Sequence, residues 1–190
     1  MYRLIPESYL LLSLVIVPFI GCVIAACMPA DARNRESLLA GGVALYGLVV
    51  SAFLYQEVGT GDIVRYQAAW LPMQGVDFVL RMDGLAWLFV MLVLGVGLLV
   101  VLYARYYMSP EDPVPRFFAF LLAFMGSMLG VVLSGNLIQL VVFWELTSLT
   151  SFLLIGYWHH RIDARRGARM AFTVCLLYTS DAADDSLRVD

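Results

Sequence analysis

Lysine is absent from the 190 residues, and all 12 basic side chains are arginine. No cluster of them forms a basic run, which excludes a nucleic-acid surface built on phosphate contacts. Charged residues make up only 14% of the chain. Cysteine is scarce too: Cys22, Cys27 and Cys175 are too few and too scattered for a disulfide framework or a zinc site. The first two lie within an apolar run and read as small buried hydrophobes. Cys27 follows Val23, Ile24, Ala25 and Ala26, a pattern that also invites a lipoprotein signal; Glu7 beside the single Arg3, and the apolar runs that follow, argue against cleavage. No P-loop, dinucleotide fingerprint, metal motif or nucleophile triad occurs, so neither an enzyme nor a bound cofactor is expected.

What remains is apolar. Hydrophobic residues reach 62% and the mean hydropathy is +0.83, whereas soluble domains are roughly 45–50% apolar. Water is the wrong solvent for most of this chain. A bilayer core asks for ~20 apolar residues per helix. Five runs meet that length: Tyr9–Met28, Ser37–Tyr55, Leu85–Tyr106, Phe117–Leu133 and Leu137–Trp158, none with an arginine before its last turn. A sixth helix is expected to begin near Gly167. Trp70, Trp87, Tyr106, Tyr107 and Trp158 read as interfacial belt residues, and Gly95 and Gly97 as packing notches in the third helix.

Between the second and third runs lies a polar connection from Gln56 to Gly84. Within it Val76, Phe78, Leu80 and Met82 alternate with Asp77, Val79, Arg81 and Asp83, and Pro72 and Gly75 supply turn chemistry just before. The spacing predicts a β-hairpin on the membrane surface, with Asp83 as the N-cap of the third helix. The expected fold class is an all-α membrane protein of five transmembrane helices plus the start of a sixth, with a short surface β-hairpin. Residues 1–62 would hold the first two helices, 63–84 the hairpin, and 85–174 the third to fifth helices and the start of the sixth.

Arginine placement sets the expected orientation. With the N-terminus outside, the inner segments hold Arg33, Arg35, Arg105, Arg116, Arg161, Arg165, Arg166 and Arg169, and the outer ones only Arg3, Arg65 and Arg81. Glu111 and Asp112 sit in the Pro-rich connection Ser109–Pro115 and read as solvated acids, with contact to another protein chain as the alternative. From Cys175 the character changes to CLLYTSDAADDSLRVD. This string resembles the translation of a transposase sequencing adapter, which accounts for Cys175 to Asp184 and again for Arg188, Val189 and Asp190. Residues 175–190 are therefore expected to be non-native, with genuine sequence ending near Val174.

One residue carries the chemistry. Glu145 lies near the middle of the fifth run, where a charged group costs ~2.5–3.5 kcal/mol on insertion scales. An acid in hydrocarbon favours its neutral form unless a cation is near. It can then load a proton and release it as a cation approaches, which is the core of a proton relay. Thr147, Ser148, Thr150 and Ser151 follow Glu145, and Asn136 and Gln139 precede it; Ser148, three residues on, shares its face. These polar residues read either as support for the relay or as helix–helix glue. His159 and His160 fall at the end of the same run, with His159 about 21 Å from Glu145 at ~1.5 Å per residue. His159 could pass protons toward the centre or simply anchor the helix at the interface.

The stretch NLIQLVVFWELTSLTSFLLIGYWHHR, Asn136 to Arg161, resembles the fifth helix of the A-type subunits of Mrp-type multisubunit Na⁺/H⁺ antiporters. RMDGLAWLF at Arg81–Phe89 and ARYYMSPEDPVPRFFAF at Ala104–Phe120 resemble the same family's third helix and the connection after it. The likeness runs from about Leu71 to Val174. It implies two inverted five-helix repeats with broken helices at their centres, of which this chain holds an N-terminal fragment. Those subunits are similar to the antiporter-like subunits of respiratory complex I, where the fifth-helix Glu pairs with a Lys on the seventh helix and relays protons. Glu145 matches that Glu; the Lys helix lies beyond this chain. Leu146, Thr147 and Ser148 after it lean toward the Mrp type, since complex I subunits have Gly-rich sequence there. The resemblance implies cation/proton antiport in the bacterial inner membrane, with the lipid bilayer, the other antiporter subunits, protons and monovalent cations as partners. A proton-pumping subunit of an NADH-quinone oxidoreductase or a membrane-bound hydrogenase is the alternative, and a lipid-embedded assembly protein without transport is a third.

Overall fold

A backbone in hydrocarbon finds no water to bond, so each apolar run must satisfy its N–H and C=O groups within itself. In the computed structural model, residues 7–29, 33–71, 76–108 and 114–157 are described, together with Met170 and Thr173. The five runs form α1 (Glu7–Ala26), α2 (Arg33–Val58), α3 (Gly84–Tyr107), α4 (Val114–Leu133) and α5 (Leu137–Ile155). All five are long and apolar enough to cross a membrane. Their ends differ from the expected spans by about one turn at most. The difference is largest for α2, whose polar first turn, Arg33 to Glu36, is helical although hydropathy excludes it. The sixth helix expected near Gly167 and residues 175–190 lie outside the described residues. So do Pro72, Gly75, Glu111, Asp112, Trp158, His159, His160 and Arg161.

Helix α4 is the centre of the bundle: 61% of its span is buried, against 17% for α3 and for α5. It packs against both α1 and α5, while α2 lies along α3. Glycines let these helices approach. A Cβ on Gly126 would stand 3.1 Å from the Phe19 ring and 3.2 Å from Pro18. That is where α1 carries its proline, which lacks an N–H and frees the carbonyl one turn before it. One turn further along, on nearly the same face of α4, the Phe143 ring of α5 fills the space over Gly130. Gly97 is the expected notch, its Cβ position lying 2.9 Å from the Met125 sulfur. Gly95 is not one: nothing lies within 4 Å, because two residues along a helix turn the position to another face.

The hairpin forms as the alternation predicts. Strand β1 (Val64–Leu71) pairs antiparallel with β2 (Val76–Met82), from Val64 opposite Met82 to Leu71 opposite Val76, with a slip between Ala69 and Leu71. Leu80 and Met82 are fully buried and Arg81 between them is exposed, the period-two pattern of a half-covered strand. The Tyr66 ring meets Tyr9 of α1 at 5.9 Å. The hairpin therefore sits at the end of the bundle where α1 begins and α2 ends. Asp83 caps α3 as expected, accepting from the Ala86 N–H at 2.9 Å. Trp87 does more than belt duty: its indole N–H donates to the Ser51 carbonyl at 2.8 Å, joining α3 to α2.

The two classes of glycine predict opposite responses. Gly130→Ala should lower the thermal stability of the detergent-solubilised protein by about 1–3 kcal/mol through overpacking. Gly95→Ala should leave it unchanged or raise it by about 0.5–1 kcal/mol. Equal effects would contradict the packing described.

Candidate functional site

Helix α5 is held at its first turn by the hairpin. Alternate residues of a strand aim their backbone groups at the same edge, and the edge of β2 away from β1 would be left open. The turn from α4 to α5 closes it. The Gly135 N–H donates to the Val79 carbonyl at 2.8 Å, and the Gln139 side-chain oxygen accepts from the Val79 N–H at 2.9 Å. The Asn136 side-chain amide donates to the Asp77 carbonyl at 2.7 Å, while its oxygen caps α5 by accepting from the Gln139 N–H at 2.8 Å. Gly135 is required here, since a Cβ would stand 2.9 Å from the Val79 carbonyl oxygen. Gln139 is fully buried. Asn136 and Gln139 are thus fasteners between hairpin and helix rather than members of a polar stripe around Glu145.

The packing of α5 divides its polar residues into two faces. Phe143 over Gly130, with buried Gln139 and Thr150, marks the seam toward α4. At ~100° per residue, Glu145 lies about 200° around the helix from Phe143. It therefore stands on the face turned away from α4, near the middle of α5 and half-buried. Ser148 lies on that side with it, half-buried, its hydroxyl donating to the Trp144 carbonyl at 3.3 Å. Thr147 donates to the same carbonyl at 2.6 Å and Thr150 to the Leu146 carbonyl at 2.8 Å. These hydroxyls are satisfied by their own helix. Among the described residues Glu145 has no hydrogen bond or ion pair.

Glu145 is thus an acid with no partner among the described residues, on the face of α5 turned away from α4. His159, the other expected site residue, falls outside the described residues. Sequence reasoning missed the clamp of Asn136 and Gln139 on β2, whose only signal was a pair of amides at a helix start. It also missed Glu36, fully buried on α2, where the signal was an acid one turn before an apolar seam.

The sequence profile of the family described as NADH-ubiquinone oxidoreductase (complex I), chain 5 N-terminus, matches residues 70–118. A probable K⁺/H⁺ antiporter A/B-type subunit of Rhizobium meliloti is 60% identical over 165 residues, 87% of this chain. The chain is homologous to the A-type subunits of the multisubunit antiporters. The A-type subunit of an Na⁺/H⁺ antiporter of Alkalihalophilus pseudofirmus is 48% identical over 116 residues, covering 60% of this chain. Among solved structures, the Mrp complex from a Dietzia species superposes with a TM-score of 0.67 and 28% identity, covering 93% of this chain and 18% of that one. The chain spans 16% of the length of the Rhizobium protein and 14% of the Alkalihalophilus one. With five membrane-crossing helices among the described residues, this homologue of the antiporter subunits is a multi-pass membrane protein.

The clamp predicts that Gln139→Ala, which strips the acceptor from a buried N–H, destabilises the hairpin by about 1–3 kcal/mol. Hydrogen exchange at the Val79 amide should speed up accordingly. Gln67→Ala removes only the exposed Gln67–Asp77 bond and should leave that amide unchanged.

Proposed function

We propose that the protein to which this chain belongs exchanges a monovalent cation for protons, with Glu145 as the proton carrier. The observation that carries the reading is a carboxyl at mid-helix in an apolar span, without a partner among the described residues, in a chain whose relatives are named as K⁺/H⁺ and Na⁺/H⁺ antiporter subunits. The physical cycle is short. In a medium of low dielectric the neutral acid is favoured, and an approaching cation stabilises the carboxylate and drives the proton off. The cation is a Lys on a helix beyond this chain, as the family resemblance implies, and it meets Glu145 on the face turned away from α4. Ser148 lies beside that path. His159, four residues past Ile155 in the sequence, would connect it to the aqueous phase.

The working unit is a complex of this protein with other antiporter subunits in the bacterial inner membrane. The N-terminus and the hairpin face outward, since the arginines concentrate in the opposite connections. With Cys27→Ser in the background, labelling of Asp62→Cys from the inner side would overturn that orientation. The match to complex I chain 5 favours a second reading, a proton-pumping subunit of an NADH-quinone oxidoreductase or membrane-bound hydrogenase. In that case proton movement would follow electron transfer rather than a cation gradient.

Glu145→Gln keeps the size of the side chain and removes its ionisation. In vesicles holding the full-length complex, cation-driven proton movement should fall to the background of empty vesicles while the complex still assembles. Undiminished exchange would remove Glu145 from the mechanism. Proton movement that responds to a quinone reductant and not to Na⁺ or K⁺ would select the second reading.

A further inference from the structure

A second acid in the bundle is buried more completely than Glu145. Glu36, in the first turn of α2, has 0% exposure, and neither of its carboxyl oxygens has a hydrogen-bond partner among the described residues. It stands one turn before Ala40 on the face that continues through Ala44 and Ser51, all buried to 0%. Packing alone asks for an apolar residue there. The helices α2 and α3 run antiparallel, and Gly41 lies beside Val101 and Leu98. Glu36, five residues earlier on α2, is therefore level with Ala104 and Met108 at the end of α3, both of which are buried. Ala25 near the end of α1 and Val114 at the start of α4 are buried at the same end of the bundle.

Among the described side chains, the charged groups at this end are Arg35 on α2, Arg105 on α3 and Arg116 on α4, all exposed. Arg105 lies over the Tyr106 ring at 6.0 Å, and none of the three pairs with Glu36 among the described residues. The end of α1 brings only apolar residues and Cys27. An unpaired carboxylate taken out of water is far costlier than the neutral acid. Glu36 presents no accessible surface through which a basic side chain or a metal ion could reach it among the described residues. A proton needs no such opening.

We propose that Glu36 is a second proton-binding carboxyl of this protein, at the end of the bundle opposite the hairpin. It is carried as the neutral acid while it stays buried in the bundle. It exchanges its proton with water or buffer in the adjacent aqueous phase when the first turn of α2 opens; only an O–H bond forms or breaks. The site is separate from Glu145. Gly47, which is level with Leu94 at mid-bundle, is eleven residues further along α2, about 16 Å at ~1.5 Å per residue. The proposal rests on the antiporter reading for its role in exchange, though not for the protonation itself.

The test uses the full-length complex in lipid vesicles, with infrared difference spectra recorded against pH and exchange measured in parallel. The wild type should show a protonated-carboxyl band that Glu36→Gln removes and Glu36→Asp keeps at a shifted frequency. Glu36→Gln should lower exchange several-fold and flatten its dependence on the pH of the inner phase, and Glu36→Asp should restore that dependence. Wild-type and Glu36→Gln complexes with the same carboxyl bands and pH profile would overturn the proposal and leave the antiporter reading standing. If Glu36→Gln does not assemble, the Glu36→Asp comparison decides: a carboxyl band that does not differ from wild type overturns the proposal. A wild type that exchanges no cation would defeat the antiporter reading instead, and the infrared bands would still report on Glu36.

Discussion

Hydrocarbon supplies no hydrogen bonds, and the bundle is arranged around that fact. Each span is a helix because a helix alone closes its own backbone. Among the described elements the hairpin is the one that cannot do this, since β2 has an edge that β1 does not cover. The turn into α5 covers it through Gly135, Asn136 and Gln139, all of which bond to Asp77 or Val79. The same contacts set the height at which α5 starts. Glu145 lies six residues beyond Gln139, about 9 Å along the helix at ~1.5 Å per residue. The depth of the acid is thus tied to a few polar contacts at the end of the bundle.

Rotation of α5 is set by a different contact. Phe143 lies over Gly130 of α4, and this fixes which side of α5 is covered. With that seam in place, Glu145 and Ser148 must look the other way. A larger residue at position 130 would push α5 off α4 and turn the acid with it. The clamp gives the helix its height and the notch gives it its azimuth, and together they put one carboxyl on a chosen face at a chosen depth.

Much of this is legible in the sequence, and the reason differs by element. The five spans and the Asp83 cap are local patterns, so hydropathy and capping chemistry find them to within about a turn. The alternation at Val76–Met82 is equally local. Asn136 and Gln139 read as part of a stripe around Glu145 because both lie on its helix run. Their real partners are 59 and 60 residues away in the chain, and no periodicity reports such a pairing. Gly95 and Gly97 carry the same sequence signal, yet only Gly97 meets another helix. Glu36 escapes notice because a polar first turn ends a hydropathy run, although the bundle covers that turn.

The face of α5 that carries Glu145 and the buried end of α2 that carries Glu36 place two acids at different depths of one chain. Neither acid has a basic partner among the described residues. In the proposed exchange, Glu145 is the central of the two acids. The most direct measurement is carbon-13 solid-state NMR of the Glu145 carboxyl in the full-length complex, in bilayers, across the working pH range. The account predicts a carboxyl resonance that moves between protonated and ionised positions and responds to the exchanged cation. A Glu145 carboxyl that holds one protonation state throughout would contradict it.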